Sequence, residues 1–183
     1  MLFALGSCFW RHKRAGKLHG VLLPEGKSSL TAQLSAGASS AKSRVIFCDV
    51  ESVGKENLSD AERTKVDELE ANGEDSRSLV WPKMKQHVYS LRKDFPKYDI
   101  LVLSGNRELL KFLGCKKIVS YIPASSLFED YISGLSDDSK VQAKRQERTQ
   151  LLLDAGKIRP HTFTSWDDLQ KDVGERFGLS PRL

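Results

Sequence analysis

Cysteine is scarce in this sequence. Cys8, Cys48 and Cys115 are its three copies among 183 residues. The number is odd and no two stand at C-x-x-C spacing, which argues against a disulfide framework and a cysteine zinc site. Reduced thiols in an intracellular, cytoplasmic setting are the expectation. The four histidines are scattered without metal-ligand spacing. Long apolar runs are missing too: none approaches the roughly 18–20 residues of a membrane span. The apolar stretch Leu2 to Trp10 is followed by its cations, Arg11, His12, Lys13 and Arg14, whereas a secretory signal carries them in front. No internal repeat is evident.

What is present reads as a soluble globular chain, with 39% hydrophobic and 29% charged residues. Its length suits one α/β domain with a single core. The net charge is +5, and the excess gathers in Arg11–Lys17, Lys83–Lys97 and Lys140–Arg148. Such clusters favour an anionic ligand or nucleic acid; a solvated surface is the plain alternative.

Residues 17–34 organise the rest. Leu18 to Leu23 is a short apolar run, stopped by Pro24. Gly26-Lys27-Ser28 follows, and Leu30 and Leu34 then lie four apart, as on one face of a helix. Strand, tight turn and helix form the context of a phosphate-binding loop. There the N–H groups of Gly26, Lys27, Ser28 and Ser29 would point at an anion. Lys27 would reach the β- and γ-phosphates, and the Ser28 hydroxyl would hold Mg2+. The full signature, G-x-x-x-x-G-K-[ST], is incomplete. Val21 stands where its first glycine belongs, Leu22 and Leu23 fall where the loop should open, and Glu25 adds negative charge. A strand–turn–helix with an exposed lysine is the other reading of the same residues.

Beyond residues 35–42, a small and polar loop, Val45 to Glu51 reads as a buried parallel strand ended by acids. Asp49 and Glu51 would sit at its carboxyl end, where open α/β sheets gather ligands. There they would hold Mg2+ or accept a proton, or merely serve as a polar strand end. A surface helix over 57–71 is expected next, then a helix from Val80 to Phe95 with Pro82 in its first turn. Asp99 to Asn106 is the clearest buried strand, and a helix from Arg107 to Leu113 stops at Gly114. Lys117–Pro123 is a strand; Ser125 or Ser126 caps the helix after it. A long helix follows from Ser136-Asp137-Asp138-Ser139 to Asp154, with Lys140, Lys144, Arg145 and Arg148. A short strand, His161–Thr164, precedes a last helix, Trp166 to Phe177, capped by Ser165. Five strands alternating with helices predict a parallel sheet covered on both faces, a three-layer α/β sandwich.

This order, with Gly-Lys-Ser after the first strand, resembles the P-loop nucleotide kinases: the guanylate-kinase-like and related nucleoside monophosphate kinases. Pro123-Ala124-Ser125-Ser126-Leu127 looks like the family's turn after a core strand. The helix with Lys144, Arg145 and Arg148 looks like its lid, and Thr162–Thr164 with Trp166-Asp167-Asp168-Leu169 like its terminal strand and helix. The likeness spans about residues 17–178 and implies a sheet order of 2-3-1-4-5. It implies a single domain over 17–183 behind an arm of residues 1–16, with an acceptor-side insertion at 54–95 and a lid-like helix at 136–156. The implied activity is transfer of the γ-phosphate of ATP (or GTP) to a nucleotide-like acceptor with Mg2+. Lys27, Arg145 and Arg148 would neutralise the phosphates, Ser28 and Asp49 would hold the metal, and Glu51 or Asp49 would orient the acceptor.

Two departures keep other functions open: the shortened loop, and Ser104 at a strand end where many relatives place an acid. One alternative is a kinase-like scaffold with reduced catalysis, used as a structural or interaction protein such as a subunit of a viral or nucleoprotein particle. It would meet another chain through residues 2–10. The other is a basic nucleic-acid-binding protein with a Lys/Arg stripe. Leu2, Phe3, Leu5, Phe9 and Trp10 bear on the choice, because monomers avoid exposing such an apolar load. If the chain is such an interaction protein, deleting residues 1–12 is expected to abolish association and leave a folded monomer, read by light scattering and circular dichroism. Unfolding on deletion would place the arm in its own core.

Overall fold

The fold comes from a computed structural model that describes residues 15–24, 26–38, 44–154 and 160–177. The arm expected at 2–10 lies outside the described residues, as does Glu25. The apolar runs form strands: β1 (Leu18–Leu22), β2 (Val45–Asp49), β3 (Asp99–Ser104), β4 (Lys117–Pro123) and β5 (His161–Phe163). They make one sheet, every pair parallel, in the order β2-β3-β1-β4-β5. That is the expected 2-3-1-4-5. In register, Leu18 pairs with Ile100 and Leu22 with Ser104, so β1 and β3 end level with each other.

Strand alternation divides the core between two faces. On one face Ile100, Val102 and Leu22 pack with Val50, Val66, Met84, Val88 and Leu110. These side chains come from α2 (Val50–Glu56), α3 (Asp60–Ala71), α4 (Arg77–Asp94) and α5 (Arg107–Phe112). On the other face Leu101, Leu103, Val21 and Leu23 pack with Leu30, Leu34, Leu169 and Val173. These helix residues belong to α1 (Lys27–Ala38) and α8 (Trp166–Arg176). The result is three layers. Between β4 and β5 lie α6 (Ser125–Ser133) and α7 (Asp138–Asp154).

Four local expectations are corrected. First, β2 does not run on to Glu51: the chain turns into α2 directly after Asp49, and Glu51 stands in that helix's first turn. Gly54 hid this helix, because glycine is a poor helix former. Here it lets α2 approach α4, and a Cβ on Gly54 would collide with Met84. Second, α1 continues through residues 35–38, where a loop was expected. Third, α4 starts at Arg77, so Pro82 lies inside it instead of in the first turn. Burial of Val80, Met84 and Val88 on the sheet offsets the lost hydrogen bond. Fourth, Ala124 occupies the cap position of α6 without a side-chain bond; the Ser125 hydroxyl accepts from Arg148 instead (3.2 Å). Other caps are as read. Ser165 accepts from the Asp168 N–H (3.1 Å), and Gly114 takes a φ of +88° after α5.

Among the described residues no helix is long and apolar enough to cross a membrane. α7 differs from the sheet-packed helices in being fastened by polar side chains, while Leu153 on it is 70% exposed. Leu101, in the middle of β3, is fully buried. Leu101→Ala is therefore expected to cost about 2–5 kcal/mol in urea unfolding. Leu153→Ala should stay within about 0.5 kcal/mol of wild type.

Candidate functional site at the carboxyl edge of the sheet

The turn after β1 is built by hydrogen bonds and one obligatory glycine. The Leu23 N–H donates to the Ser104 carbonyl (3.0 Å), which continues the β1–β3 pairing past the strand. Gly26 has a φ of +71°, a left-handed conformation that glycine adopts without strain. A Cβ there would also lie 2.6 Å from the Trp166 ring. The Gly26 carbonyl accepts from the Leu30 N–H (2.8 Å) and so opens α1. Lys27 is the first residue of that helix, whose first turn holds no acid to offset its positive end.

Lys27 turns back over the loop instead of out to solvent. Its Nζ donates to the carbonyls of Pro24 (3.1 Å) and Leu23 (3.5 Å) and pairs with Glu51 Oε2 at 3.1 Å. The side chain is 11% exposed. Glu51 is held by the end of β3: its Oε1 accepts from the Ser104 hydroxyl and from the Gly105 N–H, each at 2.7 Å. Burial pushes the Glu51 carboxyl up. The Lys27 ammonium and the bonds from Ser104 and Gly105 outweigh it and hold the group below its ordinary value. Ser104 is itself fully buried and accepts from the Asn106 N–H (2.9 Å).

α7 closes the cluster from the other side. Lys144 Nζ donates to the Pro24 carbonyl (3.4 Å) and pairs with Glu147 (2.7 Å). A Cβ on Gly105 would run into Glu147 and lie 3.4 Å from Lys27 Nζ. Two lysines and two glutamates thus surround one glycine at the carboxyl ends of β1 and β3. An anion entering here meets Lys27, Lys144 and the backbone N–H groups of the α1 turn. To bind Lys27 it must displace Glu51.

The structure brings Gly26, Lys27 and Glu51 together, while Asp49, Arg145 and Arg148 are engaged with other partners. Asp49 is 8% exposed at the end of β2. It accepts from the Ser52 N–H (3.5 Å) and borders a cavity of about 330 Å3 with Thr31 and His87. Arg145 pairs with Glu129 (2.8 Å). Arg148 lies over the Phe128 ring (4.5 Å) and donates to the Pro123 carbonyl (3.3 Å). Both arginines are on α7, but Lys144 is the residue that touches the loop. The roles expected of the Ser28 and Ser29 side chains lie outside the described residues. Glu147 and Trp166 were not singled out in the sequence as site residues. Glu147 sits in no motif and Trp166 only in the terminal strand–helix likeness, and both reach the loop through the packing of α7 and α8.

Among the described residues no three of His, Cys, Asp and Glu converge into a metal cluster. Mg2+ asks for less, since one or two carboxylates plus phosphate oxygens suffice; Asp49 is the carboxylate at the end of β2. No protein-family model matches the chain, and comparison with curated proteins finds no match.

The Glu51–Lys27 pair makes a prediction about pH. A carboxyl whose folded pKa is depressed contributes stability above its unfolded value and loses it as the pH falls through the folded value. With Glu51 about one-third exposed, Glu51→Gln is expected to cost about 1 kcal/mol near pH 7. The gap to wild type should start to close as the pH falls below the ordinary 4.5. Paired urea titrations from neutral to acid pH check this, and a gap that widens on acidification would contradict it.

Proposed function

We propose that this chain is a phosphotransferase of nucleotide-kinase type, which moves the γ-phosphate of ATP (or GTP) to a nucleotide-like acceptor in the cytoplasm. One observation carries the reading. The first residue of α1, Lys27, lies at the carboxyl end of β1, folded over the preceding turn and within 3.1 Å of a carboxylate fixed to β3. A lysine so placed exchanges one oxyanion for another: a phosphate in place of Glu51.

On this reading the turn from Gly26 to Ser29 and Lys27 hold the phosphates, and Lys144, Arg145 and Arg148 on α7 supply further positive charge. Asp49, with Ser28, would hold Mg2+, which when bound neutralises charge on the β- and γ-phosphates. The acceptor oxygen bonds to phosphorus as the bond to the leaving nucleoside diphosphate breaks. Its proton passes to Glu51, freed from Lys27, or to Asp49.

A second reading has its own support in the same ion pair. Glu51 and Glu147 place negative charge where phosphates would lie, as a scaffold with reduced catalysis would tolerate. Such a scaffold would act through a protein partner, with residues 2–10 as the contact. Calorimetric titration with Mg2+-ATP and Mg2+-GTP separates the two. Wild type is expected to bind, Lys27→Ala to weaken binding about tenfold or more with the fold intact, and Glu51→Gln to tighten it. A screen of nucleotide acceptors then follows. Absence of nucleotide binding at millimolar concentration would remove the phosphotransferase reading and leave the scaffold.

A further inference from the structure

The opposite end of the sheet carries a second surface, with a different composition. Tyr89, Phe95 and Tyr98 are 69%, 42% and 37% exposed. They line a concavity of about 300 Å3 with Arg92 and Lys93. Tyr89, Arg92 and Lys93 stand three and four residues apart on α4 and so share its outer face. Phe95 and Tyr98 meet edge to face at 5.6 Å, not stacked on each other.

The segment before β1 completes the surface. The Gly16 N–H donates to the Pro96 carbonyl (3.0 Å). A Cβ on Gly16 would collide with the Tyr98 carbonyl, so only glycine permits this crossing. Lys17, the cation of the Arg11–Lys17 run that falls among the described residues, is thereby brought beside the Lys83–Lys97 run. The neighbouring strand starts carry cations as well. The Arg44 carbonyl accepts from the Asp99 N–H (2.8 Å), and Lys117 is level with His19 across β1 and β4. Of the nearby carboxylates, Asp94 is exposed, while Asp99 is engaged by the Lys17 N–H (2.7 Å). Arg92, Lys93 and Lys97 form no ion pair among the described residues.

Cations at the end of α4 also complement its dipole, but a dipole does not ask for three exposed aromatic rings. Rings beside exposed cations in a concave surface fit a polyanion that carries flat bases. We infer that this surface binds single-stranded nucleic acid, with phosphates on Arg92, Lys93 and the rim and bases on Tyr89, Phe95 and Tyr98. The lining has no aliphatic side chain larger than Ala15 and Pro96, which disfavours insertion into lipid. The surface lies at the amino ends of the strands, about a strand length or 15–20 Å from Lys27, and it does not depend on the phosphotransferase reading.

Fluorescence anisotropy with a labelled oligothymidylate tests it. Wild type is expected to bind, and to weaken steeply between about 50 and 200 mM salt. Arg92→Ala with Lys93→Ala should weaken binding about tenfold or more and flatten the log–log salt slope by about 1.4, two contacts at about 0.7 each. Tyr89→Ala should weaken it about fivefold or more with the slope unchanged, and Tyr89→Phe should bind like wild type. Lys27→Ala should leave oligonucleotide affinity unchanged even if it abolishes nucleotide binding. The inference is overturned if wild type does not bind, if the α4 variants bind like wild type, or if Lys27→Ala abolishes binding. It is also overturned if phosphatidylserine vesicles are bound and the oligonucleotide is not, which would make this a membrane surface.

Discussion

The end of β3 is where the structure converges. Ser104 gives its carbonyl to the Leu23 N–H and its hydroxyl to Glu51, while Gly105 gives its N–H to the same carboxylate. One carboxylate held twice from one strand end is a rigid acceptor, and Lys27 turns toward it. A Cβ on Gly105 would meet the Glu147 carboxylate, which would have to swing aside. Ser104 can hold Glu51 because it is fully buried and level with Leu22 in the β1–β3 register.

The pairing gives the lysine two competing kinds of partner. Burial alone would favour a neutral Glu51, yet Lys27, Ser104 and Gly105 keep it ionised. An ion pair with one member about one-third exposed is modest in free energy. It can orient a side chain and still yield to a multiply charged anion. α7 follows the same logic: Lys144, Arg145 and Arg148 fasten it through carbonyls, a carboxylate, a hydroxyl and one ring face. Such contacts break at less cost than the buried apolar faces of α1, α4 and α8.

The two ends of the sheet carry different chemistry for a topological reason. In a parallel sheet all carboxyl ends point one way, and glycine turns and helix starts gather there. The amino ends collect helix carboxyl ends, which tolerate cations. Here that end also exposes Tyr89, Phe95 and Tyr98. Three rings stand there beside Arg92 and Lys93, and this distinguishes that surface from an ordinary basic rim.

Much of the architecture is decided by local pattern. Continuous apolar runs such as Ile100–Leu103 have one stable use in a chain of this length, as strands buried on both faces. Their alternation with helices forces parallel pairing. Gly26, Gly114 and Ser165 likewise act within a few residues of themselves, so they were legible without the fold, as was the proximity of Glu51 to Lys27. Other features depend on contacts between distant segments. α2 was hidden because Gly54 weakens its helical pattern, and only Met84, thirty residues on, shows why a glycine is needed. Pro82 marks a helix start locally, but burial of Val80, Met84 and Val88 carries α4 past it. Which cation of α7 meets the loop was set by the docking of that helix, which turned Lys144 inward and gave Arg145 to Glu129. The sequence by itself thus determined the strands, their parallel order of connection and the lysine turn, because short-range sterics and hydrophobic periodicity act within each segment. Only the tertiary structure decided that Glu51 would be held by Ser104 and that Gly16 would bond to Pro96, because those partners lie 53 and 80 residues apart.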